Sequence, residues 1–142
     1  MAVNFTLFDK FPGNSLDALI DMDSDSFKAA LTNSAPNQST ANVIGDITEI
    51  ANGNGYTTGG VALTNVVVTL IGGGVYMFDC DDFSWTSSGA GMAAFRYGVI
   101  YSTTTNKLVG WWDHGSSISV VVGAQYQVVV NANGLFRTAR SP

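Results

Sequence analysis

The sequence predicts an all-β protein, an antiparallel β-sandwich or jelly-roll-like barrel with an irregular N-terminal arm and at most one or two short helical turns. Three observations predict it. β-Branched and aromatic runs recur from about residue 56 onward. Several of them alternate with the period of two that gives a strand two different faces. Clusters of Gly, Asn and Ser separate them at short spacing. At 142 residues the chain fits one β domain, residues 1–142, with 1–15 as an extended N-terminal arm.

The arm, AVNFTLFDKFPGNS, spaces Phe5, Phe8 and Phe11 three apart. It is expected either to lie over a neighbouring subunit or to fold back on its own sheet. SLDALI at 15–20 suits one helical turn capped by Ser15 or Asn14. DSFKAALTNSA reads as strand or short helix, and the SAPNQST that follows favours the strand by breaking any longer helix. GDITEIANGNGYTTGG offers a short helical turn and then a Gly and Asn loop. The remaining strands are GVALTNVVVTLI, VYMFDCDDFSW, AAFRYGVIYST, KLVGWWDH, AQYQVVVN and GLFRTA. In AAFRYGVIY, strict alternation places Phe95, Tyr97, Val99 and Tyr101 on one face and Arg96, Gly98 and Ile100 on the other. GGG at 72–74, TTTNK at 103–107 and NANG at 131–134 supply the turns.

Only 12% of the residues are charged, about half the usual ~25%. The surface is therefore expected to be covered by Thr, Ser, Asn and Gly. A net charge of −5 opposes phosphate binding, so nucleic acid is not an expected partner. Cys80 is the one cysteine, which excludes an intrachain disulfide and a thiolate cluster. The N-terminus lacks the pattern of a secretory signal, and no apolar run approaches the ~18 residues of a membrane span, so no membrane partner is expected.

LVGWWDHGSSI at 108–118 holds the chain's one histidine, His114, after Trp111, Trp112 and Asp113. Adjacent strand residues point to opposite faces, so Asp113 and His114 are not expected to pair, and no nucleophile elbow accompanies them. The expectation is a strand-end histidine and no enzyme. Of two adjacent tryptophans one faces inward, and the outward one is the candidate for a subunit contact or a bound ligand. Phe5, Phe8, Phe11 and His114 join Trp111 and Trp112 as interface or ligand candidates.

DMDSDS sets Asp21, Asp23 and Asp25 at alternate positions, a weak calcium candidate. An EF-hand loop would need Gly and Glu where Ser26 and Thr32 stand, so a solvated acidic turn is the favoured reading. Asp79, Asp81 and Asp82 flank Cys80, too few nitrogen and sulfur donors for a zinc site within one chain. Glu49 is the one glutamate, and no carboxylate pair stands out as a glycosidase would require. No metal and no cofactor are expected.

The order of segments carries a resemblance. EIANGNGYTTGG, then the DCDDFSW strand, then AFRYGVIY, then LVGWWDHG, then NANGLFR follow one another across roughly residues 24–138. This order resembles a group of small virion structural proteins of tailed bacteriophages, accessory components of the head or tail. The doubled tryptophan and His114 depart from the pattern. The resemblance implies a non-enzymatic virion protein assembled in the host cytoplasm, foremost a capsid decoration or cement protein bound to the major capsid protein or other virion proteins. A homo-oligomer, dimer or trimer, is expected with it. The alternative is a tail or baseplate component, including a receptor- or glycan-binding module that uses an exposed Trp.

Overall fold

The computed structural model describes residues 4–138. In chain order it has β1 (Phe5–Leu7), α1 (Phe11–Leu16), β2 (Phe27–Thr32), a 3-10 turn (Ile44–Asp46), β3 (Val61–Ala62) and β4 (Val67–Gly72). There follow β5 (Val75–Asp79), β6 (Phe83–Thr86), β7 (Phe95–Ser102), β8 (Leu108–Ile118), β9 (Gln125–Val128) and β10 (Phe136–Thr138). The strands form three antiparallel sheets in the orders β1-β8-β7-β2-β3, β10-β5-β4 and β6-β9. The fold is all-β, as expected. Among the described residues no helix is long and apolar enough to cross a membrane.

The five-stranded sheet buries both faces, each following from the period of two. Phe27, Ala29 and Leu31 of β2, Ile100 of β7 and Trp112 of β8 face the main core. There they meet Phe78, Phe83, Trp85, Tyr126, Val128 and Phe136, carried by the two smaller sheets, and Phe11 of α1. The smaller sheets thus form the opposite layer of a sandwich. The layers are joined by aromatic contacts: Phe27 with Phe78 at 5.3 Å, Phe83 with Trp112 at 5.9 Å and Phe95 with Tyr126 at 4.7 Å between ring centroids. On the other face Ala30, Val99, Tyr101 and Leu108 pack with Phe8 and Ala41, and Ile44 and Ile47 of the long 33–60 segment complete the cover.

Close approach within the sheet depends on absent side chains, at Gly98 above all. Gly98 stands opposite Trp112, and a Cβ at that position would overlap the indole ring. The ring therefore lies flat over the glycine, and Trp112 is 1% exposed.

Several expectations change in detail. The arm folds back: β1 pairs with β8, Phe8 and Phe11 are buried in the chain's own cores, and Phe5 stacks on Phe136 at 6.0 Å. The helix lies earlier than SLDALI, over Phe11–Leu16, because Pro12 presets its first turn. Neither Ser15 nor Asn14 caps it. Asn14 is buried and donates from Nδ2 to Asn42 Oδ1 at 2.7 Å. The segment GVALTNVVVTLI breaks into β3 and β4 around Asn65, which takes a positive φ of 50°. VYMFDCDDFSW breaks likewise into β5 and β6, which enter different sheets. Phe95 does not share a face with Val99 and Tyr101. The register of β7 against β8 shifts between Phe95 and Tyr97, and Phe95 turns into the main core with Ile100.

Candidate functional site

The LVGWWDHGSSI segment is β8 in full, and its pairing with β7 distributes its side chains. Trp112 faces the main core and donates its indole N–H to the Tyr126 hydroxyl at 3.1 Å. Trp111 faces the other way, partly exposed against Tyr97 at 6.1 Å, and its buried Nε1 has no partner. Asp113 accepts two hydrogen bonds from Arg96, at 2.8 and 2.9 Å, and a third from the Gly115 N–H at 2.7 Å. Hydrogen bonds from Arg96, then from Gly115, hold its carboxyl down at about 2. The Arg96 guanidinium also lies over the Tyr97 ring, 5.1 Å from its centroid.

His114 turns away from Asp113 and meets Tyr126 edge-on at 5.8 Å. Its Nδ1 is buried without a hydrogen-bond partner, and Ser116 and Ser117 stand exposed. Asp113 serves Arg96 rather than the imidazole, so the neighbours in sequence do not form a catalytic pair. Of the aromatic candidates, Trp112, Phe8 and Phe11 are buried in the fold, Phe5 is partly buried, and Trp111 is the one tryptophan left at a surface.

The acidic candidates hold turns. DMDSDS is not extended, since the Asp25 N–H donates to the Asp21 carbonyl at 2.9 Å and closes a turn. Asp21 Oδ1 accepts from the Asp23 and Ser24 amides, and the Ser24 hydroxyl, followed by these amides, holds its carboxyl below the ordinary range. Asp25 Oδ2 accepts from the Asp21 amide at 3.2 Å and the Ser102 hydroxyl at 2.7 Å. Among the described residues no three His, Cys, Asp or Glu side chains converge as a metal ion would require. Asp81 binds Thr64 and Asn65 across the β3–β4 connection, and Asp82 accepts from the Val130 amide at 2.8 Å. Burial, with the three aspartates around it, pushes the Cys80 thiol up to about 12.

Glu49 anchors the long covering segment, a role its sequence context did not disclose. Its Oε2 accepts from the Tyr56 hydroxyl and from the Gly59 amide at 2.7 Å. The Tyr56 hydroxyl in turn accepts from the Leu31 amide at 3.2 Å, while the Tyr101 hydroxyl donates to the Gly59 carbonyl at 2.8 Å. Burial, then the bond to Glu49, raises the Tyr56 phenol above its ordinary range.

Among the described residues an apolar surface is also left open. The inner face of the three-stranded sheet carries two rows of side chains, set by the pairings of β4, β5 and β10. Val68, Phe78 and Phe136 form the first row, against the core. Leu70, Tyr76 and Thr138 form the second, which extends beyond it. Between that overhang and α1 runs an open cleft of about 530 Å³, lined by Phe11, Leu16, Met22, Val68, Tyr76 and Phe136 among others. Leu16 is 88% exposed on its rim. Sequence reading placed strands here but not the cleft, although one signal was available: residues 50–78 contain no charged side chain.

Comparison of the chain with protein-family models, with curated proteins and with solved structures finds no match.

Proposed function

We propose that the protein is a non-enzymatic structural component of a bacteriophage virion, a capsid decoration protein held on the assembled shell by contacts to the major capsid protein. The observation that carries this reading is the apolar cleft between α1 and the β4–β5 hairpin. A half-open surface lined mainly by aliphatic and aromatic side chains suits burial against another protein. Three carboxylates that could have supported catalysis are occupied in holding the fold, Asp113 by Arg96, Glu49 by Tyr56 and Asp21 by its own turn. The order of the sequence segments adds the virion context. Repeated attachment on a shell makes modest contacts sufficient, because many equivalent sites are offered together. Purified protein should bind expanded empty shells with saturable stoichiometry and should lose binding when Leu16→Asp charges the cleft rim. Absence of binding at micromolar concentration overturns the reading.

A tail or baseplate role with glycan recognition is the second reading, and the Trp111, Tyr97, Arg96 and Asp113 group favours it. An aromatic pair beside a fixed carboxylate and guanidinium can stack on and hydrogen-bond a sugar. Trp111, not the buried Trp112, is then the residue to remove. Glycan-array binding that disappears in Trp111→Ala would move the function to this face.

A further inference from the structure

The outer edge of β4 pairs with no strand among the described residues. Its sequence, VVTLIG, has no charge and no proline. Exposed sheet edges are usually guarded by lysine, proline, an inward charge or a covering loop. Here the guard is limited to a register shift beyond Leu70, next to the turn at Gly73 and Gly74, both of positive φ. Val67, Leu70, Ile71 and Tyr76 are 45%, 56%, 46% and 47% exposed around that edge. An unpaired ladder with apolar side chains on both faces is a site for strand addition.

We propose that a second copy of the chain closes this edge, the two β4 strands running antiparallel about a two-fold axis through Thr69. In that register Thr69 faces its own mate, Val68 faces Leu70 and Val67 faces Ile71. Every cross-strand pair is then apolar or hydroxyl, and no charge meets a like charge. The three strands of each copy join into one continuous sheet of order β10-β5-β4-β4-β5-β10. The axis keeps the inner faces on one side, so the two clefts lie next to each other. A copy of itself fits better than an unrelated partner because the edge carries no charge pattern that would select one. Self-association of a chain with net charge −5 also favours its charge-free stretch, residues 50–78. The half-exposed side chains and the edge backbone offer on the order of 500 Å² per copy, or ~1,000 Å² in total, the lower bound for a specific interface. At that size the dimer belongs with weak, reversible complexes.

Sedimentation equilibrium of the full chain, from micromolar to several hundred micromolar and without any shell present, should give a monomer–dimer equilibrium. Thr69→Lys sets two ammonium groups opposite each other and should weaken association roughly tenfold or more with an unchanged thermal unfolding curve. Thr69→Cys should form a disulfide-linked dimer under mild oxidation, since Cys80 is buried and does not compete. That crosslink decides the matter even if the lysine variant unfolds. A wild-type chain that stays monomeric throughout overturns the proposal, as does self-association in which Thr69→Cys fails to crosslink. A dimer that ignores expanded shells would leave this inference standing and remove the decoration reading.

Discussion

The five-stranded sheet and the three-stranded sheet are built from equally apolar strands, yet only the first is covered on both faces. β2 of the larger sheet has five of its six residues buried, whereas β4 of the smaller one has five of six exposed. The difference lies in what covers them. The larger sheet has the sandwich partner on one face and the 33–60 segment on the other. The smaller sheet meets the core with its first row of side chains only. Hydrophobic sequence alone therefore does not bury a strand; a second layer must be supplied, from the same chain or from another.

The largest effect that tests this contrast is the removal of one aromatic from each sheet. Trp112→Ala should cost about 3–5 kcal/mol, as for a large side chain lost from a packed core. Tyr76→Ala, in the overhanging row, should cost about 1 kcal/mol or less. Urea unfolding of both variants at dilute concentration measures the difference. Equal losses would mean that the overhang is as much a part of the monomer's core as the larger sheet. Gly98→Ala sharpens the same point without removing any atom. The new methyl would displace the Trp112 ring, and overpacking of this kind should cost about 1–3 kcal/mol.

The cover of the larger sheet can be loosened separately. Tyr56→Phe removes the hydroxyl that accepts from the Leu31 amide and donates to Glu49. Leaving buried polar groups unpaired should cost about 1–3 kcal/mol. Hydrogen exchange should show the loss concentrated at residues 49–60, with β7 and β8 still protected. Uniform loss across the domain would show instead that the segment and the sheet unfold as one unit.

Much of this division was legible in the sequence. The period of two in VIY, the helix-breaking SAPNQST after FKAAL and the turn residues between the runs specify strands. That one of the adjacent Trp111 and Trp112 turns inward follows from strand alternation, but which of the two does not. That choice is set by the pairing of Gly98 with Trp112, a contact between residues on different strands. Phe95 defeated simple alternation because a register shift separates it from Tyr97. The cleft was not legible because it arises between α1 and a hairpin far from it in sequence. The Glu49 clamp was hidden for the same reason: its partners Tyr56 and Gly59 are close in the chain, but their purpose appears only where Leu31 and Tyr101 meet them.

The smallest effect concerns the exposed end of the larger sheet, where Arg96 holds Asp113. The Asp113 carboxyl falls from its ordinary 3.8 to about 2 in the fold, through Arg96 first and the Gly115 amide second. A depressed carboxyl contributes stability that is fully present above 3.8 and is lost as pH falls from there toward 2. The pair is about a third exposed, 38% and 35% for its two side chains, so solvent screening keeps the contribution small. Asp113→Asn should therefore lower stability slightly at neutral pH and flatten the acid limb between pH 4 and pH 2 by the same small amount. Salt should shrink the difference from wild type, because an exposed pair is screened. Asp21 and Asp46 are also depressed and titrate in the same acid region, so the difference between variant and wild type is the quantity to read. Identical acid limbs would mean that Arg96 fixes the position of Asp113 without stabilising the sheet, and that closure by packing alone holds the larger sheet together.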